Sequence, residues 1–329
     1  MIVVTGGAGF IGSALVWALN RRGLDDILIV DYLGTDEKWK NLVPLRFSDY
    51  LDGDTFIERL ENRDFGSRIH AILHLGACSS TTETDAGYLM ENNYRYTARL
   101  GQWQEDHTHC RFIYASSAAT YGAGERGYSD DESKLSELRP LNMYGYSKQL
   151  FDLHALRKGW LKRIVGLKYF NVFGPNEYHK GDMRSVIHKA FPGVRDEGVI
   201  RLFMSHRSDY GHGEQVRDFI YVKDAVEMTL FFLENREANG IFNVGTGTAR
   251  TWNDVATSMF AALDRPPSIE YIPMPENLQG KYQYTTRAEM DKIRAAGCTH
   301  ECRPLEDSVR EYIRDYLARD AVLDPSAPD

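Results

Sequence analysis

The stretch Ile2-Val3-Val4-Thr5-Gly6-Gly7-Ala8-Gly9-Phe10-Ile11-Gly12-Ser13-Ala14-Leu15 decides the fold. Its apolar start, Ile2–Thr5, reads as a buried strand, and the residues from Gly12 to Arg22 read as a helix. The glycines between them permit a sharp turn and a close approach of backbone to a pyrophosphate, while the helix N-terminus offers N–H groups and partial positive charge. A bare G-x-G-x-x-G is weak evidence, and the strand–loop–helix setting makes it specific. Gly6, Gly9, Phe10, Ile11 and Gly12 are therefore candidate cofactor contacts. Asp31 stands 19 residues past Gly12, at the end of a second predicted strand, Ile27–Asp31. A carboxylate there accepts hydrogen bonds from an adenosine ribose and favours NAD, because it repels a 2′-phosphate. Lys38 and Lys40 pull the other way if they pair with that phosphate; otherwise they are solvated surface lysines.

Outward from this start, short apolar runs alternate with longer amphipathic stretches. Val43–Arg46 is a weaker third strand, Ala71–His74 and Arg111–Ala115 the fourth and fifth, and Arg163–Tyr169 the sixth. Tyr88–Glu105 and Tyr144–Trp160 read as long crossover helices. The pattern predicts an α/β protein with a Rossmann-type, doubly wound parallel sheet and a smaller C-terminal lobe. After Phe170 the loops lengthen, as in Ser205–Gln215. Later elements are a helix over Lys223–Asn235, a strand over Ile241–Val244, and helices near Trp252–Leu263 and Leu305–Arg319. We divide the chain into a dinucleotide-binding domain over 1–170, a mainly substrate-binding lobe over 171–320, and a flexible tail over 321–329. Segments near 218–245 are expected to return to the first domain.

Composition narrows the function. A chain of 329 residues buries roughly three quarters of its unfolded surface, so it needs no disulfides to hold a core. The net charge of −8 and the lack of a dense Lys/Arg run argue against nucleic acid as a partner. No apolar run reaches the roughly 20 residues of a membrane span. The N-terminus has no basic leader before its first strand, so no signal peptide is read. Four scattered cysteines, Cys78, Cys110, Cys298 and Cys302, point to the cytoplasm. Cys298-x-His300-x-Cys302 offers half of a metal site without a second pair at zinc spacing, so reduced bystander thiols are the reading and no metal is expected.

The chemistry sits in two strings. Tyr144-Gly145-Tyr146-Ser147-Lys148 opens a predicted helix, and positions i and i+4 place Tyr144 and Lys148 on one face. A free tyrosine has a pKa of about 10, and a neighbouring ammonium lowers it toward use as a base. Upstream, Tyr114-Ala115-Ser116-Ser117-Ala118-Ala119-Thr120-Tyr121-Gly122 ends a parallel strand, where α/β sites collect polar groups. Ser117 there can hold the substrate hydroxyl that loses its proton. Glycine loop, strand-end serine and Tyr-x-x-x-Lys together are the short-chain dehydrogenase/reductase pattern, in its extended nucleotide-sugar form. Nucleotide-sugar 4,6-dehydratases are similar but carry an acidic pair after the strand-end hydroxyl residue; here Ala118 and Ala119 stand there, so elimination of water lacks its acid and base.

Longer strings sharpen the resemblance. His74-Leu75-Gly76-Ala77-Cys78-Ser79-Ser80-Thr81-Thr82-Glu83, Glu91-Asn92-Asn93-Tyr94, Tyr169-Phe170-Asn171-Val172-Phe173-Gly174-Pro175-Asn176-Glu177-Tyr178-His179-Lys180-Gly181, Arg217-Asp218-Phe219-Ile220-Tyr221-Val222 and Gly280-Lys281-Tyr282-Gln283 resemble the ADP-L-glycero-D-manno-heptose 6-epimerase family from Met1 to about Tyr316. The resemblance implies an isomerase that inverts C6 of an ADP-linked heptose by transient oxidation and re-reduction. Its implied catalytic residues are Ser117, Tyr144, Lys148 and, as a second acid/base, Lys180. Its implied dinucleotide contacts are Phe10, Ile11, Asp31, Tyr32, Lys38, Leu75, Gly76, Ala77, Cys78, Ser79, Asn92, Lys148 and Val172, with NADP expected and NAD possible. Its implied substrate contacts are Ser79, Asn171, Lys180, Asp182, Arg217 and Tyr282, and it implies a homo-oligomer, a pentamer or a multiple of one.

The chain departs from the family in places. Tyr32 follows Asp31 where an asparagine is common, Gly53 stands where some members carry a lysine, and Asp182 replaces a small residue. The Ser205–Gln215 stretch is longer than in the short form of the family, which leaves pocket lining, subunit contact or a mobile surface loop open for it. Two alternatives remain at this level. One is another nucleotide-sugar enzyme on the same scaffold, such as a C4 epimerase or a reductase; the other is a non-catalytic dinucleotide-sensing protein, a class that usually lacks the tyrosine or the lysine.

Overall fold

The structure, a computed structural model, describes residues 1–275 and 283–327. Its centre is a seven-stranded sheet built from β1 (Ile2–Thr5), β2 (Ile27–Val30), β3 (Asp49–Leu51), β4 (Ala71–His74), β5 (Arg111–Ser117), β6 (Val165–Tyr169) and β10 (Gly240–Val244), in the order β10-β6-β5-β4-β1-β2-β3. Every neighbouring pair in it is parallel. The strand order reverses direction beside β1, between β2 and β4, and α/β sheets bind ligands at such a point. Strand β4 is buried along its whole length, as expected of a strand with helices on both faces.

One face is covered by α1 (Phe10–Arg21) and α7 (Val222–Glu234), whose apolar residues join Val4, Ile29, Leu73 and Leu167 in one core. The other is covered by α2 (Gly53–Glu61), α4 (Tyr96–Asp106) and α5 (Met143–Arg157), packed on Val3, Leu28, Ile72 and Phe112. Two small sheets flank the main one: β7 (Asn171–Phe173), β9 (Val216–Tyr221) and β11 (Ala249–Thr251) form one, and β8 (Ile200–Phe203) pairs with β12 (Ile269–Ile272) in the other.

Some expected elements moved. Val43–Arg46 is a turn running into irregular chain, not a strand, and the outermost strand is Asp49–Leu51. That edge strand is three residues long and none of them is buried, so it carries no apolar run to betray it. The crossover helix expected over 88–105 starts earlier, at α3 (Ala86–Leu89), and continues through a π-helical turn at Met90–Arg95 into α4. The tail from Ala321, expected to fray, packs back: Leu323 is fully buried, its N–H donates to Asn176 Oδ1 at 2.9 Å, and the Ala321 carbonyl accepts from the Tyr178 hydroxyl at 2.6 Å.

Candidate active site

The glycine loop is closed by contacts that tolerate no side chain. A Cβ on Gly12 would stand 2.0 Å from the Gly6 carbonyl oxygen, and one on Gly6, whose φ is +67°, would stand 2.7 Å from the Gly76 nitrogen. The loop after β1 thus meets the loop after β4 directly, and the first turn of α1 packs on that same loop. No side chain caps α1, so its first-turn N–H groups stay available to an anion. The loops are locked by polar ties: Thr5 Oγ1 lies 2.6 Å from His74 Nδ1 and accepts from Gly76 N–H at 3.0 Å, while His74 Nε2 lies 2.9 Å from Thr97 Oγ1. Complete burial, with Lys148 nearby, pulls the His74 pKa down to about 3, so this imidazole is a neutral brace.

A cleft of about 670 Å³ opens at the carboxyl ends of β1, β2, β4, β5 and β6. All the residues expected to touch the dinucleotide line it: Gly6, Gly9, Phe10, Ile11, Gly12, Asp31, Tyr32, Lys38, Leu75, Gly76, Ala77, Cys78, Ser79, Asn92, Lys148 and Val172. Ser117, Tyr144, Lys180 and Asn171 line the same cleft. A Rossmann dinucleotide fits this cradle, because the backbone approach is bare and the helix start is uncapped.

At the adenosine end, Asp31 accepts from Ala8 N–H at 3.0 Å, from Tyr32 N–H at 2.7 Å and from Lys38 Nζ at 3.0 Å. Lys38 is therefore paired with Asp31 inside the cleft, whereas Lys40 pairs with Glu37 at the surface.

At the catalytic end, Asn142 caps α5 by accepting from Gly145 N–H at 2.8 Å, which fixes Tyr144 and Lys148 in the first turns of the helix. Burial pushes the Tyr144 phenol above its usual value, and its hydrogen bond with Ser117 works against that rise. The Lys148 ammonium donates to the Ala115 carbonyl at 2.8 Å, and burial pulls its pKa down to about 8 against the opposing pull of Asp152. The expected depression of Tyr144 by Lys148 is thus not what the polypeptide alone provides; desolvation dominates. Lys180 stands 5.3 Å above the Phe10 ring, its pKa lowered by burial and partly restored by Glu177.

Two expected substrate residues lie elsewhere. Asp182 is exposed and does not line the cleft; its carbonyl holds Lys189 Nζ at 3.2 Å. Arg217 is buried on β9, donating to the carbonyls of Val216 and Gln283 with its guanidinium 5.7 Å from the Trp252 ring centre. Tyr282 falls outside the described residues. The Ser205–Gln215 stretch is tied to Tyr284 through His206, whose Nδ1 lies 2.8 Å from the Tyr284 hydroxyl.

The sequence reading missed the braces. Asn93 accepts from Cys78 N–H at 2.8 Å and donates to the Cys78 carbonyl and Ser147 Oγ, each at 3.0 Å. Ser147 in turn donates to the Tyr144 carbonyl at 2.7 Å, so Asn93 joins the cofactor loop to the catalytic helix. Behind Ser117, Asp152 accepts from Tyr114, Ser116 and Lys168 at 2.9, 2.7 and 2.8 Å, with Lys168 and Asp152 fully buried. The Asn92-Asn93 pair was a visible signal; the Asp152 network, spread over β5, α5 and β6, had none.

Known proteins share this arrangement. The model of the NAD dependent epimerase/dehydratase family matches residues 2–245. An ADP-L-glycero-D-manno-heptose-6-epimerase of Nitratidesulfovibrio vulgaris (strain DP4) is 59% identical over 97% of this chain and 98% of its own. One from Fusobacterium nucleatum is 46% identical over 97% of this chain and 99% of its own. The crystal structure of Helicobacter pylori ADP-L-glycero-D-manno-heptose-6-epimerase superposes with a TM-score of 0.80 at 25% identity, over 96% of each chain. The chain belongs to the NAD dependent epimerase/dehydratase family and, within it, to the ADP-L-glycero-D-manno-heptose-6-epimerases.

Proposed function

We propose that this chain inverts C6 of the heptose in ADP-D-glycero-β-D-manno-heptose, giving the L-glycero epimer with no net redox change. The observation that carries the reading is the placement of Tyr144, Ser117, Lys148 and Lys180 in one cleft with the glycine cradle, beside a strand end whose Ala118 and Ala119 supply no acid or base for dehydration. A dinucleotide held by the glycine loop and Lys148 would supply a reversible hydride acceptor for the sugar. Tyr144 takes the proton of the 6-hydroxyl as base, and Ser117 holds the oxygen. Lys148 orients the nicotinamide ribose and, as a cation, favours the tyrosinate. The transient C6 ketone turns about its C5–C6 bond to present its other face. Lys180 then protonates the oxygen in the second orientation. Asn171 at the cleft wall contacts the sugar, and Arg217, planar and forked, is assigned to the diphosphate on the strength of its chemistry, from outside the cleft lining; Tyr282 is assigned to the substrate.

We assign NADP as the dinucleotide, with Lys38 meeting the 2′-phosphate. NAD is the second reading, favoured by Asp31, whose carboxylate lines the same corner at the end of β2. The lobe over 171–320 is assigned to the substrate, and the active form to a homo-oligomer, a pentamer or a multiple of one. A cytoplasmic location is assigned from the four free cysteines.

The experiment is NMR of the sugar after incubation of the dinucleotide-loaded protein with ADP-D-glycero-β-D-manno-heptose. The expected result is a mixture of C6 epimers with constant absorbance of the reduced nicotinamide. Stoichiometric consumption of the reduced cofactor would replace epimerisation with a net reduction.

A further inference from the structure

Outside the cleft, the fold gathers three residues that the sequence separates. Asp224 lies in the first turn of α7, and His300 and Cys302 lie 76 and 78 residues later, in the segment after α9 (Asp291–Ala295). One donor atom from each, a carboxylate oxygen, an imidazole nitrogen and the Cys302 Sγ, falls within 4.8 Å of the other two. The Cys298-x-His300-x-Cys302 spacing showed only half a site because its third contributor, Asp224, comes from a different helix.

We propose that Asp224, His300 and Cys302 form a structural site for a borderline-soft divalent transition metal, with zinc as the natural occupant. Thiolate, imidazole and carboxylate are the donors zinc accepts, and the thiolate argues against magnesium or calcium. Tetrahedral zinc with bonds of about 2.0–2.3 Å separates its ligands by roughly 3.3–3.8 Å. The donors are spaced close to that edge: His300 Nε2 to Asp224 Oδ1 is 2.9 Å, and no two of the three donor atoms are more than 4.8 Å apart. The Gly245 carbonyl or a water fills the fourth position. Charge also suits a dication. One carboxylate and one thiolate balance it, and the thiolate forms when Cys302 gives its proton to solvent on binding.

The support around the donors is fixed. Asp224 is buried, and its second oxygen accepts from Arg303 N–H at 3.1 Å, as a ligating carboxylate with an outer hydrogen bond does. Gly245 begins the loop whose Thr246 and Gly247 N–H groups hold Asp218 at 2.7 and 2.9 Å, next in sequence to Arg217. The metal would pin the segment around 298–303 to α7 and to that loop, on the side of the molecule that carries Arg217.

The test uses the full chain, stripped of metal, then titrated with Zn²⁺ and separately with Co²⁺. The expected result is about one metal per chain, an intense tetrahedral Co²⁺ spectrum with a thiolate charge-transfer band in the near ultraviolet, and a melting temperature that rises on zinc loading. Cys302→Ser should abolish the charge-transfer band, and His300→Ala should weaken binding by more than the roughly 10- to 100-fold that loss of an outer partner costs. Cys298→Ser should keep the band. A wild-type protein that binds less than about a tenth of an equivalent of either metal, or shows an octahedral Co²⁺ spectrum without the thiolate band, overturns the site without recourse to any variant. Retention of the band in folded Cys302→Ser overturns it too. None of these readings requires the epimerase activity.

Discussion

The Tyr32 ring lies over Gly53 so closely that a Cβ at position 53 would meet ring and hydroxyl atoms at 2.8 Å. The two residues form one wall of the corner in which Asp31 and Lys38 are paired, and the Tyr32 phenol, pushed up to about 12 by burial and by Asp54, stays neutral there. The two departures from the family pattern at positions 32 and 53 are thus a single packing event, since a lysine at 53 has no room while Tyr32 keeps its place. Gly53→Lys alone is expected to swing the exposed Tyr32 ring aside with little change in melting temperature. Tyr32→Asn combined with Gly53→Lys should shift the ratio of NAD to NADP dissociation constants toward NADP by about tenfold or more, the worth of one charge-assisted contact. Titration of the cofactor-free variants with each dinucleotide measures it, and an unchanged ratio would mean that this corner does not read the phosphate.

Tyr144→Phe keeps the ring that packs in the cleft and removes the proton acceptor. Turnover should fall by about 10²–10⁴-fold while dinucleotide binding stays within a few-fold. Because burial holds the Tyr144 phenol above 10, the reaction needs the tyrosinate that the protein alone disfavours. The rate should therefore climb with pH from neutrality. Lys148 opposes this climb once it loses its charge near pH 8 in the cofactor-free cleft. A pH profile of kcat/KM that is flat from 6 to 9 would count against Tyr144 as the base.

His74 predicts a stability change on acidification. Its folded pKa of about 3 lies below the ordinary imidazole value of 6.5, so between those values the unfolded chain binds a proton that the folded one refuses. Stability is then full above pH 6.5 and is lost as pH falls toward 3, at up to about 1.4 kcal/mol per pH unit. His179 and His188, both pulled down to about 4 by burial, steepen the same fall. Urea denaturation at pH 7 and pH 5 should give a smaller loss in His74→Gln than in the wild type, and equal slopes would remove His74 from the account.

The buried Lys168–Asp152 pair is expected to hold the catalytic strand in place. Asp152→Ala strands the Lys168 charge and leaves Tyr114 and Ser116 without their acceptor, at a cost of about 3–5 kcal/mol. Lys168→Met with Asp152→Leu removes both charges and should recover a good part of that loss, though not the hydrogen bonds to the two hydroxyls. Denaturant midpoints of the single and double variants decide it; additive losses would show that the pair is not coupled.

Which parts of this molecule were legible in the sequence follows from locality. The glycine loop, Tyr144 with Lys148, and strands β1, β4 and β6 are written in short contiguous strings, because one strand or one helix turn carries each. Strand β3 was misplaced because an edge strand of Asp49, Tyr50 and Leu51 needs no apolar run. The π-helical turn at Met90–Arg95 leaves no propensity signal, yet it accompanies the placement of Asn92 on the cleft and of Asn93 beneath it. Asp152 and Asp224 stayed invisible for another reason: each acts through residues brought from other elements, and a lone aspartate on a helix announces nothing. Asp182 shows the converse, since a motif neighbour need not face the site.

The last prediction concerns the fate of hydrogen at carbon. Inversion through a C6 ketone would move only the C6 hydrogen, and a bound nicotinamide would hold it in a form that does not exchange with water. Loss of the C5 hydrogen would require a second base near C5, where dehydratases of this architecture use an acidic pair; Ala118 and Ala119 occupy those places, and Ser117 Oγ accepts from the Ala119 N–H at 3.1 Å. Product formed in heavy water should therefore carry protium at both C5 and C6, read by proton NMR and mass. Full deuterium at C6 would sink the direct return of hydride, and deuterium at C5 would reveal a base that the strand end does not supply. Lys180→Met should leave this isotopic pattern intact while slowing turnover, because Lys180 acts on oxygen and never on carbon.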